Sequence, residues 1–162
     1  MSVQNKQKGV GLLELMLSLA VIAVILVVVG RYFTSVSFSQ KANTIHAQFI
    51  DISQALFRYR ELKGSWTGVT LNELKPWLNK EFANNIDPNS GTAPGPLTGT
   101  SYQVVPQVNN ITKQESVSIE ISGFNSDPND LNSDCAKLAN RMNGVVCDGK
   151  TLKYCYPASA CQ

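Results

Sequence analysis

From Leu12 to Val29 the chain reads LLELMLSLAVIAVILVVV, with Glu14 its only charge and Ser18 its only other polar side chain. No other feature restricts the fold as much. Wound as a helix at ~1.5 Å per residue, a run of this length crosses a ~30 Å hydrocarbon core. The rest of the chain is largely polar, so its 43% hydrophobic content averages over two segments suited to two solvents, lipid and water.

Three readings of the segment follow. The plainest is a signal anchor, with Lys6 and Lys8 held on the cytoplasmic side by the positive-inside rule. The second is a cleaved secretory signal ending at the small-x-small stretch Ser18 to Ala20. It ranks lowest, because Glu14 breaks its apolar core and Val21 to Val29 would be left on a soluble product. The third accounts for Glu14. An ionisable group inside a membrane helix marks a functional position. Val10 lies about one helical turn earlier, at ~1.5 Å per residue. A cut between Gly9 and Val10 would create an α-amino group at a similar depth. Amine and carboxylate, each costly alone in a dry helix bundle, could pair between neighbouring molecules and set their axial register.

All four cysteines, Cys135, Cys147, Cys155 and Cys161, fall near the C-terminal end of the sequence, and no two have C-x-x-C spacing. An even number of cysteines combined with a membrane-targeted N-terminus predicts disulfides and an oxidising, extracytoplasmic location. Four cysteines allow three pairings, and their spacing does not choose among them.

Beyond the apolar run, Ile45, Phe49, Ile52, Leu56 and Tyr59 recur at steps of three and four, the face of a helix packed on its own domain's core. Lys63 and Gly64 supply a basic last turn and a glycine stop. The helix would run from Val10 to Lys63, about 80 Å at ~1.5 Å per residue. Gly30 and the serine-rich TSVSFS stretch form its weakest section. Thr70 and Glu73 fit a capping box for a short helix that Pro76 ends or restarts. Asn84 to Thr100 is rich in Asn, Pro, Gly and Thr and reads as irregular loop. SYQVVPQV and SVSIEIS are strands; in the second, Val117, Ile119 and Ile121 alternate with polar residues, as in a half-buried strand. Ser133 or Asp134 caps a helix to about Asn143, stopped by Gly144. VVCDGKTLKYC is a hairpin turning near Asp148–Gly149. The sum is an α+β fold, one long helix on an antiparallel sheet.

No constellation points to catalysis, so the chain is expected to be neither an enzyme nor a cofactor carrier. His46 is the sole histidine, and GVGLLE follows no strand, so it is not a dinucleotide fingerprint. The net charge of +2 implies no nucleic-acid partner. Arg58, Arg60 and Lys63 form a small basic patch, expected to be a subunit contact or a solvated face; repetition along a filament would give even weak DNA contacts avidity. Trp66, Trp77, Tyr102, Tyr154 and Tyr156 are read as packing residues.

Gly9 before a hydrophobic residue, followed by glutamate five positions on, resembles the class III signal of type IV pilins and pseudopilins. The resemblance implies a leader, residues 1–9, removed by prepilin peptidase after Gly9. It also implies N-methylation at Val10 and an assembly role for Glu14. The order of spine helix, αβ-loop, sheet and cysteine-bounded end is similar to type IV pilins, most to the type IVb, thin-pilus-like group. The leader is shorter than is usual in type IVb, and Arg31 stands where type IVa spines commonly carry proline. By this resemblance residues 10–30 are the membrane and polymerisation half of the spine and 31–63 its amphipathic half. Residues 64–162 are the head, with the αβ-loop over about 64–100 and the sheet and cysteine region over about 101–162. It suggests the pairing Cys135–Cys161 enclosing Cys147–Cys155. Further implied partners are further copies of the chain, an assembly ATPase with its platform, and a secretin. The precursor would sit in a bacterial inner membrane and the product in an extracellular filament. Pseudopilins carry a calcium site in a C-terminal loop, which makes Asp127, Asp130 and Asp134 weak calcium candidates. Their spacing does not fit an EF-hand, and turn and cap roles explain them without metal.

Overall fold

The structure, a computed structural model, describes residues 11–108, 114–124 and 133–157. Its first element, α1, is the 52-residue helix Leu12–Lys63. Gly64, at φ 75°, ends it in the left-handed conformation that glycine adopts without steric cost. The serine-rich stretch from Ser35 to Ser39 stays helical. The chain divides into two compact units between Gln40 and Lys41, within this helix. In the first unit the apolar side chains from Leu12 to Val29 are exposed, the large ones none less than 53%. In the second unit the expected stripe is present: Ala42, Ile45, Phe49, Ile52, Leu56 and Tyr59 are buried.

The second unit holds a five-stranded antiparallel sheet in the order β1-β2-β3-β5-β4. Its strands are β1 (Ala93–Pro94), β2 (Ser101–Val108), β3 (Glu115–Ser122), β4 (Val145–Asp148) and β5 (Thr151–Tyr156). Pairing Val104 with Ile119, and Ile119 with Tyr154, aligns one apolar face across three strands. Phe49 of α1 meets that face edge-on at Tyr102, with ring centroids 6.1 Å apart, and is tilted against Tyr154 at 6.2 Å. The α+β architecture follows from this burial of one helical stripe on one sheet face.

β3 differs from the half-buried strand expected of its alternation. Ser118 and Glu120, on the opposite face from Val117 and Ile119, are also buried. The Glu120 carboxylate accepts hydrogen bonds from Gln103 Nε2 at 2.9 Å and Ser118 Oγ at 3.0 Å. Polar identity misled because a polar side chain can be buried once its hydrogen bonds are made within the protein.

β1 pairs only with Ser101 and Tyr102, so Gln103 to Val108 of β2 has no neighbour on its outer side among the described residues. Pro106 lies in that open stretch, where its missing N–H costs no ladder bond.

The short helix α2 (Leu71–Leu74) is capped by Thr70, whose hydroxyl accepts from the Glu73 N–H. Pro76 then restarts the chain in a 3-10 turn, Lys75–Trp77. Two elements were not expected: β1, and the helix α3 (Lys80–Asn84), capped by the Asn79 side chain on the Glu81 N–H. Helix α4 (Asp134–Arg141) has Ser133 as its cap, accepting from the Ala136 N–H at 3.2 Å.

The suggested disulfide pairing is corrected. Cys135, in the first turn of α4, is bonded to Cys147 of β4, with Cα atoms 5.8 Å apart. That excludes both Cys135–Cys161 and Cys147–Cys155. Strand parity explains the second exclusion. Cys147 lies opposite Leu152 and shares its face. Cys155, three residues beyond Leu152, points to the other face. Cys155 is itself disulfide-bonded; Cys161, the remaining cysteine, lies outside the described residues.

Gly123 has φ 95°, and a Cβ there would overlap the Gly99 carbonyl oxygen. Gly123→Ala is therefore expected to destabilise the head by about 2–4 kcal/mol. The measurement is the urea midpoint of the detergent-extracted chain; a wild-type midpoint would contradict this close approach.

Candidate functional site

The N-terminal segment is the first candidate site. α1 satisfies its own backbone hydrogen bonds, a requirement for any segment placed in lipid. Ser18, the one hydroxyl in the run, donates from Oγ to the Glu14 carbonyl at 2.8 Å and so has a partner inside the helix. Glu14 sits in the first turn of α1, where its N–H donates to the Gly11 carbonyl at 2.9 Å. A carboxylate in the first turn meets the positive end of the helix dipole. The cleavage and methylation positions, Gly9 and Val10, lie outside the described residues. So do Asp127 and Asp130 of the calcium candidates. Asp134 lies in the first turn of α4, with Lys137 Nζ 4.0 Å away, a position a helix N-terminus favours without metal.

The head presents a second surface, built where the loop after α1 is fastened back onto the helix and sheet. The Trp66 N–H donates to Glu115 Oε2 at 2.9 Å. The Asn79 N–H donates to Asp51 Oδ2 of α1 at 3.0 Å. The Tyr102 hydroxyl donates to Gln48 Oε1 of α1 at 2.6 Å, and burial pushes its pKa well above the usual phenol range. Within the basic patch, Arg60 is committed to packing: its guanidinium lies 5.1 Å from the Trp66 ring centroid. Trp66 and Tyr102 are buried as expected of packing residues. In the αβ-loop, the Asp87 carboxylate accepts from the Asn89 N–H and the Ser90 hydroxyl, both at 2.9 Å. The Asn89 bond, then the Ser90 bond, hold its pKa below the ordinary carboxylate value. The order that this turn gives the loop is thus present above the ordinary carboxylate range and lost as pH falls through the lowered pKa.

Exposed apolar residues off the helical stripe went unread in the sequence. Ile50 and Phe57 of α1 are 45% and 43% exposed, and Phe57 packs edge-on against Tyr156 at 4.8 Å. Their seven-residue spacing, two turns on one helical face, was the available signal.

Tyr102→Phe should cost about 1 kcal/mol, since it removes the donor and leaves Gln48 Oε1 unpaired. Denaturant unfolding of the extracted chain measures it, and a loss indistinguishable from zero would show the bond to be energetically idle.

Among the described residues, one helix is long and apolar enough to cross a membrane. Together with a disulfide-bonded α+β head, it is consistent with a precursor anchored in a membrane by its N-terminal helix. More particularly, residues 4–30 match the family described as the prokaryotic N-terminal methylation motif, and that match supports a type IV pilin-like or pseudopilin precursor. No curated protein and no solved structure shows a significant match to it.

Proposed function

We propose that this chain is a structural subunit of a type IV pilus filament and not an enzyme. The methylation motif at residues 4–30 carries the reading. In it, the precursor is held in the inner membrane by the apolar segment, with its head in the periplasm. Prepilin peptidase cuts after Gly9, and the new N-terminus at Val10 is methylated. The apolar segments of many copies then leave lipid for each other. Val10 to Val29 becomes the shared core, and the Glu14 carboxylate leaves the interface for the Val10 amine of a neighbouring copy. The exposed side chains from Leu12 to Val29 support this, since a surface so apolar requires either lipid or its own kind around it. The assembly ATPase, its platform and a secretin are the partners this route requires.

The same motif serves a pseudopilin, whose filament would stay short and periplasmic. The deciding experiment is intact mass and N-terminal sequencing of chain sheared from the cell surface. A methylated valine start in the sheared fraction is the expected result. An uncleaved start at Met1 would overturn the reading. Cleaved chain absent from the surface would favour the pseudopilin. Gly9→Val is expected to leave an uncleaved precursor in the membrane, visible as a slower band on immunoblots.

A further inference from the structure

The turn between α4 and β4 carries Asn143–Gly144, the sole asparagine–glycine pair in the sequence. Both residues are exposed. Gly144 has φ 78° and no Cβ to shield its nitrogen. Among the described residues, neither the Asn143 side-chain amide nor the Gly144 N–H has a hydrogen-bond partner. Other asparagines are held: Asn72 Nδ2 donates to the Pro88 carbonyl at 3.0 Å, and Asn85 Nδ2 to the Glu81 carbonyl at 2.9 Å. The neighbouring Asp148–Gly149 pair is held too, because Lys153 Nζ donates to Asp148 Oδ2 at 2.7 Å. An ionised carboxylate in such a pair is a poor electrophile, whereas the free Asn143 amide is neutral.

We propose that Asn143–Gly144 is a site of spontaneous covalent self-modification in the folded protein. The Gly144 backbone nitrogen attacks the Asn143 side-chain carbonyl carbon. A C–N bond forms, the bond to the side-chain nitrogen breaks, and that nitrogen leaves as ammonia with the proton from Gly144. One water then opens the resulting succinimide, giving aspartate or isoaspartate. No oxidant or reductant takes part. The nucleophile, the electrophile and the water-accessible turn are all present in the folded chain.

The product has a defined setting. Asn143 lines a groove of about 120 Å³ with His46, Ile50, Met142 and Tyr154. A carboxylate there would line the same groove as His46 and lower the net charge from +2 by one. The turn lies inside the loop closed by Cys135–Cys147, so a backbone lengthened by isoaspartate stays tethered on both sides. A long-lived copy of the chain would carry a surface whose charge records its age. The inference is independent of the filament reading, because it concerns the head alone.

The test incubates the full chain, extracted from membranes in mild detergent, at neutral to slightly alkaline pH, with periodic proteolysis and mass spectrometry. A denatured, reduced sample and an Asn143→Gln variant run in parallel. The expected result is a gain of about one mass unit in the peptide spanning Asn143, with part of the product labelled by an isoaspartyl methyltransferase. That gain should be absent from the glutamine variant, which cannot close the five-membered ring. The folded chain should convert at a rate similar to the denatured one. Conversion roughly tenfold or more slower in the folded chain would show that the fold protects the turn, and would overturn the proposal. So would conversion in neither sample, or conversion falling first on another asparagine.

Discussion

Glu14→Ala is expected to leave the precursor inserted and cut after Gly9 while removing filaments from the cell surface. Cleavage depends on the leader and the residues beside the cut, which the substitution leaves intact. Assembly is different. On the proposed route, Val10 brings a positive amine into the dry core of a helix bundle, and its partner is the Glu14 carboxylate of another copy. Removing one member of a buried ion pair typically costs about 3–5 kcal/mol, because the other charge is left uncompensated. That is roughly two to four powers of ten in each association step. Since every subunit repeats the same contact, growth should stop. Immunoblots of whole cells and sheared fractions measure this directly: processed chain in the first, almost none in the second. Wild-type amounts of sheared filament from the alanine variant would sink the pairing role of Glu14.

Replacing Cys135 and Cys147 together by serine is expected to destabilise the head by about 3 kcal/mol, from the chain-entropy model applied to this short loop. For a chain of this size the thermal midpoint should fall by roughly 6–12 °C. The comparison requires detergent-extracted full-length chain with the Cys155 bond kept oxidised. The distribution of the loss is also informative. α4 and β4 belong to the terminal part of the fold and are tied to each other by this bond. Their amides should therefore lose hydrogen-exchange protection before those of β2 and β3. An unchanged midpoint would mean that side-chain packing alone holds α4 against β4.

The parts of this fold that were legible in the sequence are those in which one periodicity or one cap decides the outcome. The stripe Ile45, Phe49, Ile52, Leu56, Tyr59 repeats for four turns and leaves little choice. The Thr70 cap, the Gly64 stop and the Asp148–Gly149 hairpin are each set by local backbone chemistry. What was not legible depends on partners distant in sequence. Glu120 is polar in the sequence and buried in the fold because Gln103, on another strand, meets its carboxylate. The helix α3 covers barely more than one turn; Asn79 was its cap and Phe82 its buried residue, but a single buried position carries no periodicity. The disulfide was misassigned because pairing follows strand parity, which requires the register of β4 on β5. The processing site is legible as a motif, and its residues lie outside those the structure describes.

The open side of β2 has a consequence for crowding. A filament of these subunits would hold heads beside one another permanently, at local concentrations that no dissolved protein reaches. Under such conditions an unpaired strand edge is a template, and two heads could zip together along it into a sheet continuing from copy to copy. Pro106 stands within the stretch of β2 that has no outer strand among the described residues, and it withholds a donor from any such ladder. It would keep neighbouring heads as separate bodies, so that contacts between copies form through side chains and can be broken again. Replacing Pro106 by a good strand former such as valine would then threaten the reversibility of the assembly more than the stability of the head.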